Sequence, residues 1–136
     1  MVISNKVLNT KGDIMARIIH FDISALDAPR AINFYEKIFK WKFKKWDSDE
    51  MAYWMIKTGP KSETGIDGGM SIRMKDNYVV NTIGVKSIDK TLEQIKEMGG
   101  KVVMDKHPIP EVGYYAQFED PEGNLLGLLE PNKKAK

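Results

Sequence analysis

The chain has 136 residues, 42% of them hydrophobic and 29% charged, the size and balance of one globular domain rather than of a disordered or fibrous chain. It contains no cysteine, which excludes a disulfide framework, a thiolate metal site and a cysteine nucleophile, and its formal net charge is only +2. No apolar run approaches the roughly 20 residues that span a bilayer, so the expected setting is the cytoplasm, with no membrane and no nucleic acid as partner.

Residues 1–15 are polar and patternless and read as a loosely ordered tail, Met15 being a second candidate start beside Met1. From Arg17 the stretch RIIHFDIS alternates Ile19, Phe21 and Ile23 with His20, Asp22 and Ser24, the pattern of a strand with two different faces. DAPRAINFYEKIFK follows, with Pro29 suited to a first helical turn and Ala31, Phe34, Tyr35 and Ile38 at helical spacing.

Strands are expected at 41–46, 51–58 and 68–74. In the first, KWKFKKW alternates Trp41 and Phe43 with Lys42 and Lys44, which is a half-buried strand before it is a basic nucleic-acid surface. WDSDEM, with Asp47, Asp49 and Glu50, reads as a solvated turn. TGPKSETGIDG reads as a loop that lacks the spacing of a phosphate-binding P-loop.

A strand in YVVNTIGV opens the second half. A helix at 88–98 follows, capped by Ser87, with Leu92 and Ile95 on its buried face and Gly99-Gly100 at its end. Strands at 101–104, 114–119 and 124–130 complete the chain, the last two joined by the DPEG turn. His107, in the proline-flanked KHPIP, is expected on a surface loop. Residues 132–136 form a basic tail.

The order strand, helix, three strands occurs twice, which points to a duplicated unit. HFDISALD (20–27) and TIGVKSID (82–89) both carry apolar residues at the second and fourth positions and an aspartate at the eighth. This alignment makes His20 correspond to Thr82 and Asp22 to Gly84. It puts Phe21, Ile23, Ile83 and Val85 under the helices, leaving His20, Asp22, Thr82 and Gly84 for a shared concave surface.

With HFDI, FYEKIFKWKF, GGKVV, PIPEVGYYAQFEDPEGN and LLGLLEP, the chain resembles the vicinal oxygen chelate superfamily of glyoxalases, bleomycin-resistance proteins and extradiol dioxygenases over residues 16–131. The resemblance implies an α+β fold of two βαβββ modules in tandem, about 16–75 and 78–131, curling mixed sheets around one pocket, and a homodimer. In the metal-dependent members a divalent ion, the cofactor the resemblance implies, is held by His, Glu or Gln from each first strand and each last strand. His20 matches the first position, Thr82 occupies the second, and Gly127 falls where the last strand normally offers Glu. The GGMSIR segment offers no ligand, and Asp67 is reached only by a register shift.

The leading expectation is a small-molecule-binding protein, or an enzyme of uncharacterised reaction, that lacks most of the family's metal ligands. His20 and Asp22 are the candidate catalytic residues, His20 as a base or donor oriented by Asp22. Trp54, Thr82, Tyr115, Gln117 and Gly127 are the candidate ligand-binding residues, the aromatic and amide groups giving a pocket shape and orientation. The main alternative is a metal-dependent lyase, isomerase or dioxygenase with His20 as a ligand. A third is a drug-sequestering resistance protein, which calls for an acidic groove that a net charge of +2 does not favour. The methionines Met51, Met55, Met70 and Met74 read as packing residues.

Overall fold

The computed structural model describes residues 16–47, 52–74 and 79–136. The expected tail up to Met15, the turn residues Asp49 and Glu50, Met51 and Tyr78 lie outside the described residues. Elements follow in the order β1 (Ile18–Ala25), α1 (Ala28–Phe39), β2 (Lys42–Lys45), β3 (Tyr53–Lys57), β4 (Gly68–Ile72), β5 (Val80–Gly84), α2 (Ile88–Glu97), β6 (Lys101–Ile109), β7 (Gly113–Glu119) and β8 (Leu125–Pro131). This is a mixed α+β chain with eight strands and two helices among the described residues. It divides into two compact units, His20–Val80 and Asn81–Lys136, the second also taking in the described residues 16–19.

In the His20–Val80 unit the strands run β2-β3-β4-β1. Asp27 caps α1 by accepting from Arg30 N at 3.0 Å, and proline stands in the first turn, where its missing N–H costs nothing. Lys40 ends the helix in the left-handed region at φ 63°. Ala25, Ala28, Ile56 and Met70 form the buried core, with Phe21, Ile23, Trp41 and Phe43 packed against it. Tyr35 stacks on Trp41 at 4.9 Å and so ties the helix to the chain that follows it. Alternation then leaves His20, Asp22 and Ser24 on the other face of β1.

In the second unit the order is β5-β8-β7-β6. Ser87 caps α2, accepting from Lys90 N at 3.2 Å, and Glu130 of β8 accepts from Ile88 N at 3.0 Å, so a second free N–H of the first turn is satisfied. Val85, Ile88, Leu92, Ala116, Phe118 and Leu128 form its core. Complete burial of Ile88 and of Leu128 is worth about 1.5–3 kcal/mol each, which fixes the face that α2 and β8 turn inward. The opposite face carries Thr82 and Gly84 of β5, Gly127 and Leu129 of β8, and Tyr115 and Gln117 of β7.

Three expectations are corrected. His107 is not in a loop: β6 continues to Ile109, and His107 pairs with Tyr115. Pro108 falls in β6, which ends the strand order, and an edge strand is where proline is accommodated in a sheet. The repeat is shifted by two residues. The helix caps are Asp27 and Ser87, so Asp22, five residues before its cap, corresponds to Thr82 and not to Gly84. His20 corresponds to Val80. Sheet pairing agrees, since Asp22 pairs with Gly69 of β4 and Thr82 with Gly127 of β8. Finally, Met74 is 91% exposed and is no packing residue, whereas Met70 is fully buried. The basic C-terminal residues also fold back, Ala135 being buried with its carbonyl accepting from Glu111 N at 2.9 Å. Among the described residues no helix is long and apolar enough to cross a membrane.

Candidate functional site

Each unit carries a polar cluster on the sheet face turned away from its helix. In the His20–Val80 unit the cluster is His20, Asp22 and Tyr53. The Tyr53 hydroxyl donates to Asp22 Oδ1 at 2.6 Å, and His20 Nε2 lies 3.1 Å from Tyr53 Oη and 3.3 Å from Asp22 Oδ1. The side chains of His20 and Asp22 are 13% and 24% exposed. A carboxylate only accepts, and the single tyrosine proton is given to it, so both atoms facing Nε2 are acceptors. On this network the neutral ring carries its proton on Nε2 and its lone pair on Nδ1.

The backbone explains how Tyr53 reaches Asp22. Tyr53 pairs with Ser71 and Gly69 pairs with Asp22, so the ring crosses β4 diagonally over Gly69. A Cβ on Gly69 would collide with Tyr53 Oη and Cζ. Trp46 buttresses the ring edge-on, with centroids 6.3 Å apart, and its N donates to Tyr53 O at 2.7 Å.

The same device recurs in the second unit. Tyr115 pairs with Leu129, two residues beyond Gly127 on β8, and its ring crosses Gly127. A Cβ there would lie 2.6 Å from Tyr115 Oη and 2.6 Å from Thr82 Oγ1. Gln117 Nε2 donates to Tyr115 Oη at 3.0 Å, and His107 stands edge-on to the Tyr115 ring at 5.8 Å. Thr82 is completely buried, and its Oγ1 has no hydrogen-bond partner among the described residues.

The structure therefore brings His20 and Asp22 together, and separately gathers Thr82, Tyr115, Gln117 and Gly127. Trp54 joins neither group, a correction to its expected role. It lies on the helix side of β3 against the core around Ala25, Ile56 and Met70, while its neighbour Tyr53 holds the polar position. Strand alternation required one of the pair to face each way. The hydroxyl, which needs a partner once half-buried, was the signal that could have decided it.

The positions at which the resemblance expects metal ligands are occupied as follows. Asp67 is engaged by Thr58, whose N donates to Oδ1 at 2.9 Å and whose hydroxyl donates to the same oxygen at 3.2 Å. Gly69 and Gly127 have no side chain, Val80 has no lone pair, and His20 Nε2 is turned to Asp22 and Tyr53. Among the described residues no group of three or more His, Cys, Asp or Glu side chains is placed to hold an ion, whereas protein metal sites of this kind use about three or more.

Residues 17–128 match the family model of the Glyoxalase/Bleomycin resistance protein/Dioxygenase superfamily. Among solved structures the chain is similar to a methylmalonyl-CoA epimerase in complex with methylmalonyl-CoA and NH4+, at 18% identity and a TM-score of 0.63 over 84% of this chain and 93% of that one. It is similar to methylmalonyl-CoA epimerase from Mycobacterium tuberculosis, at 14% identity and a TM-score of 0.64 over 96% and 93% of the two chains. A hypothetical protein from Bacillus halodurans C-125 aligns at 16% identity with a TM-score of 0.65, over 88% of this chain and 97% of that one. At these identities the likeness is one of fold. No curated protein matches the sequence.

Proposed function

The chain belongs to the glyoxalase/bleomycin resistance protein/dioxygenase superfamily, and from that premise we propose that it binds a small organic molecule at His20, Asp22 and Tyr53 without the metal ion of the family's enzymes. The observation that carries this reading is the pair of crossed glycines. At Gly69 and Gly127, in the last strand of each half, a tyrosine hydroxyl takes the space in which a ligand side chain would start.

The cluster also points to the kind of ligand. The Tyr53 proton and the Nε2 proton of His20 are both directed to Asp22 Oδ1. What remains for a ligand is acceptor capacity: the second Asp22 oxygen and His20 Nδ1. A molecule offering donors, such as a vicinal diol or an amino alcohol, suits it better than an oxyanion. Titration with catechol, followed by backbone amide shifts, tests this. Saturable shifts at His20, Asp22 and Tyr53 are expected, lost in Asp22→Asn, with benzoate inert there. Shifts with benzoate but not catechol at these amides refute it.

A second reading is favoured by the same tautomer. A half-buried imidazole with a free Nδ1 lone pair and a phenol beside it can take a proton from carbon next to a carbonyl and return it, the step an isomerase or epimerase needs. The similar epimerase structures support that class. Deuterium uptake at the α-carbon of an acyl thioester in heavy water, abolished in His20→Ala, distinguishes it from pure binding. A homodimer in the cytoplasm completes the proposal; the absence of cysteine suits that compartment, and light scattering on the purified chain tests the dimer.

A further inference from the structure

We propose a second ligand site in the His20–Val80 unit, independent of the His20 cluster, for a small monocarboxylate with an aromatic or branched apolar body. A cavity of about 360 Å³ opens where β1 hands over to α1, lined by Ile23, Ala31, Phe34, Arg30 and Arg73 among others. That volume is at the lower end of the roughly 300–1,000 Å³ of small-molecule pockets.

Its two cations are set differently. Arg73 is fixed against β1: its backbone N donates to Ala25 O at 2.8 Å, Nε to Ser24 Oγ at 3.2 Å and Nη2 to Ser24 O at 3.2 Å. These bonds hold the guanidinium plane and leave Nη1 uncommitted among the described residues. Arg30, in the first turn of α1, uses its backbone N on Asp27, and its guanidinium has no carboxylate partner among the described residues. Arginine in a fixed orientation is the group that recognises a carboxylate through paired hydrogen bonds.

The third charge selects the ligand's valence. Asp27 also lines the cavity, its Oδ1 accepting from Arg30 N as the helix cap. Two guanidinium groups against one carboxylate leave a single positive charge. A monoanion neutralises it, while a dianionic phosphate places its second charge beside Asp27. The walls supply the rest: Phe34 is 52% exposed and Leu26 69% exposed, apolar surface that a ligand's hydrocarbon body would cover.

The test is amide-shift titration of the full chain with phenylacetate, phenylethanol and phenyl phosphate. The expected result is saturable shifts at residues 24–31 and 73 with phenylacetate, none with phenylethanol, and phenyl phosphate weaker than phenylacetate. Arg30→Ala, at an exposed helix position, and Arg73→Gln each weaken phenylacetate about tenfold or more, whereas His20→Ala leaves it unchanged. Absence of saturable shifts, equal response to phenylethanol, tighter phenyl phosphate, or undiminished binding in Arg30→Ala overturns the proposal. Because catechol reports on His20 and phenylacetate on Arg73, either site can fail without the other.

Discussion

Replacing Gly69 by alanine should empty the His20 cluster of its phenol. The Gly69 backbone is not in the left-handed region, so alanine meets no conformational penalty, and in a strand it would ordinarily gain about 0.5–1 kcal/mol over glycine. What it meets is Tyr53: the new Cβ overlaps Oη and Cζ and would stand 2.8 Å from Cε2. The ring has only two side-chain torsions and must swing away, giving up its 2.6 Å bond to Asp22. A hydrogen bond to a charged group contributes about 1.5–3 kcal/mol and local overpacking costs about 1–3 kcal/mol more. Less the gain over glycine, the expected loss in urea unfolding is about 1.5–5.5 kcal/mol, or roughly 5–20 °C in Tm for a chain of this size. The mechanism is checked by repeating the change in a Tyr53→Ala background, where Gly69→Ala should be neutral or stabilising. If the two substitutions add to within about 0.5 kcal/mol, the ring does not depend on the glycine and the reasoning fails.

Other consequences are more local. Thr82→Val removes a buried hydroxyl without a partner, whose burial costs about 1–3 kcal/mol; stability should hold or rise, and a fall beyond about 1 kcal/mol would mean that the hydroxyl is bonded after all. Long-range proton–nitrogen NMR should find the neutral His20 ring protonated on Nε2, and a proton on Nδ1 would contradict the bonding order given for the cluster. At the β7–β8 turn, the Asn124 side-chain amide first, then its backbone N–H and those of Glu122 and Gly123, hold the Asp120 carboxyl below its usual carboxylate range. A depressed folded-state value contributes stability above the unfolded pKa of about 4 and loses it as pH falls through the folded value. Asp120→Ala should therefore lower Tm at neutral pH and flatten its fall below about pH 4, as read by calorimetric scans; parallel acid profiles would refute this.

Much of the architecture could be read from residue periodicity. The alternation in RIIHFDIS assigned Phe21 and Ile23 to the core and His20 and Asp22 to the other face, because strand geometry gives no other choice. Ser87 and the DPEG turn were readable because capping and turn formation are local chemistry. The site was harder, since it depends on which strands become neighbours. Tyr53 and Trp54 are adjacent, and periodicity separates them without saying which is inward. Sequence alone sets the repeat two residues off because Asp27 and Asp89 look alike, although Asp27 is a cap and Asp89 lies inside the first turn of α2. Gly127 stands where the resemblance expects a carboxylate. That Tyr115 crosses it, and that Gly69 and Tyr53 repeat the arrangement, required the sheet pairing.

The central proposal is that the His20 cluster binds its ligand without a metal ion. Equilibrium dialysis of the purified chain against magnesium, manganese, iron(II), cobalt, nickel and zinc, followed by elemental analysis, tests it most directly. Well under one equivalent of any ion should be retained, with no difference between wild type and His20→Ala. One equivalent held by the wild type and lost in His20→Ala would contradict the account.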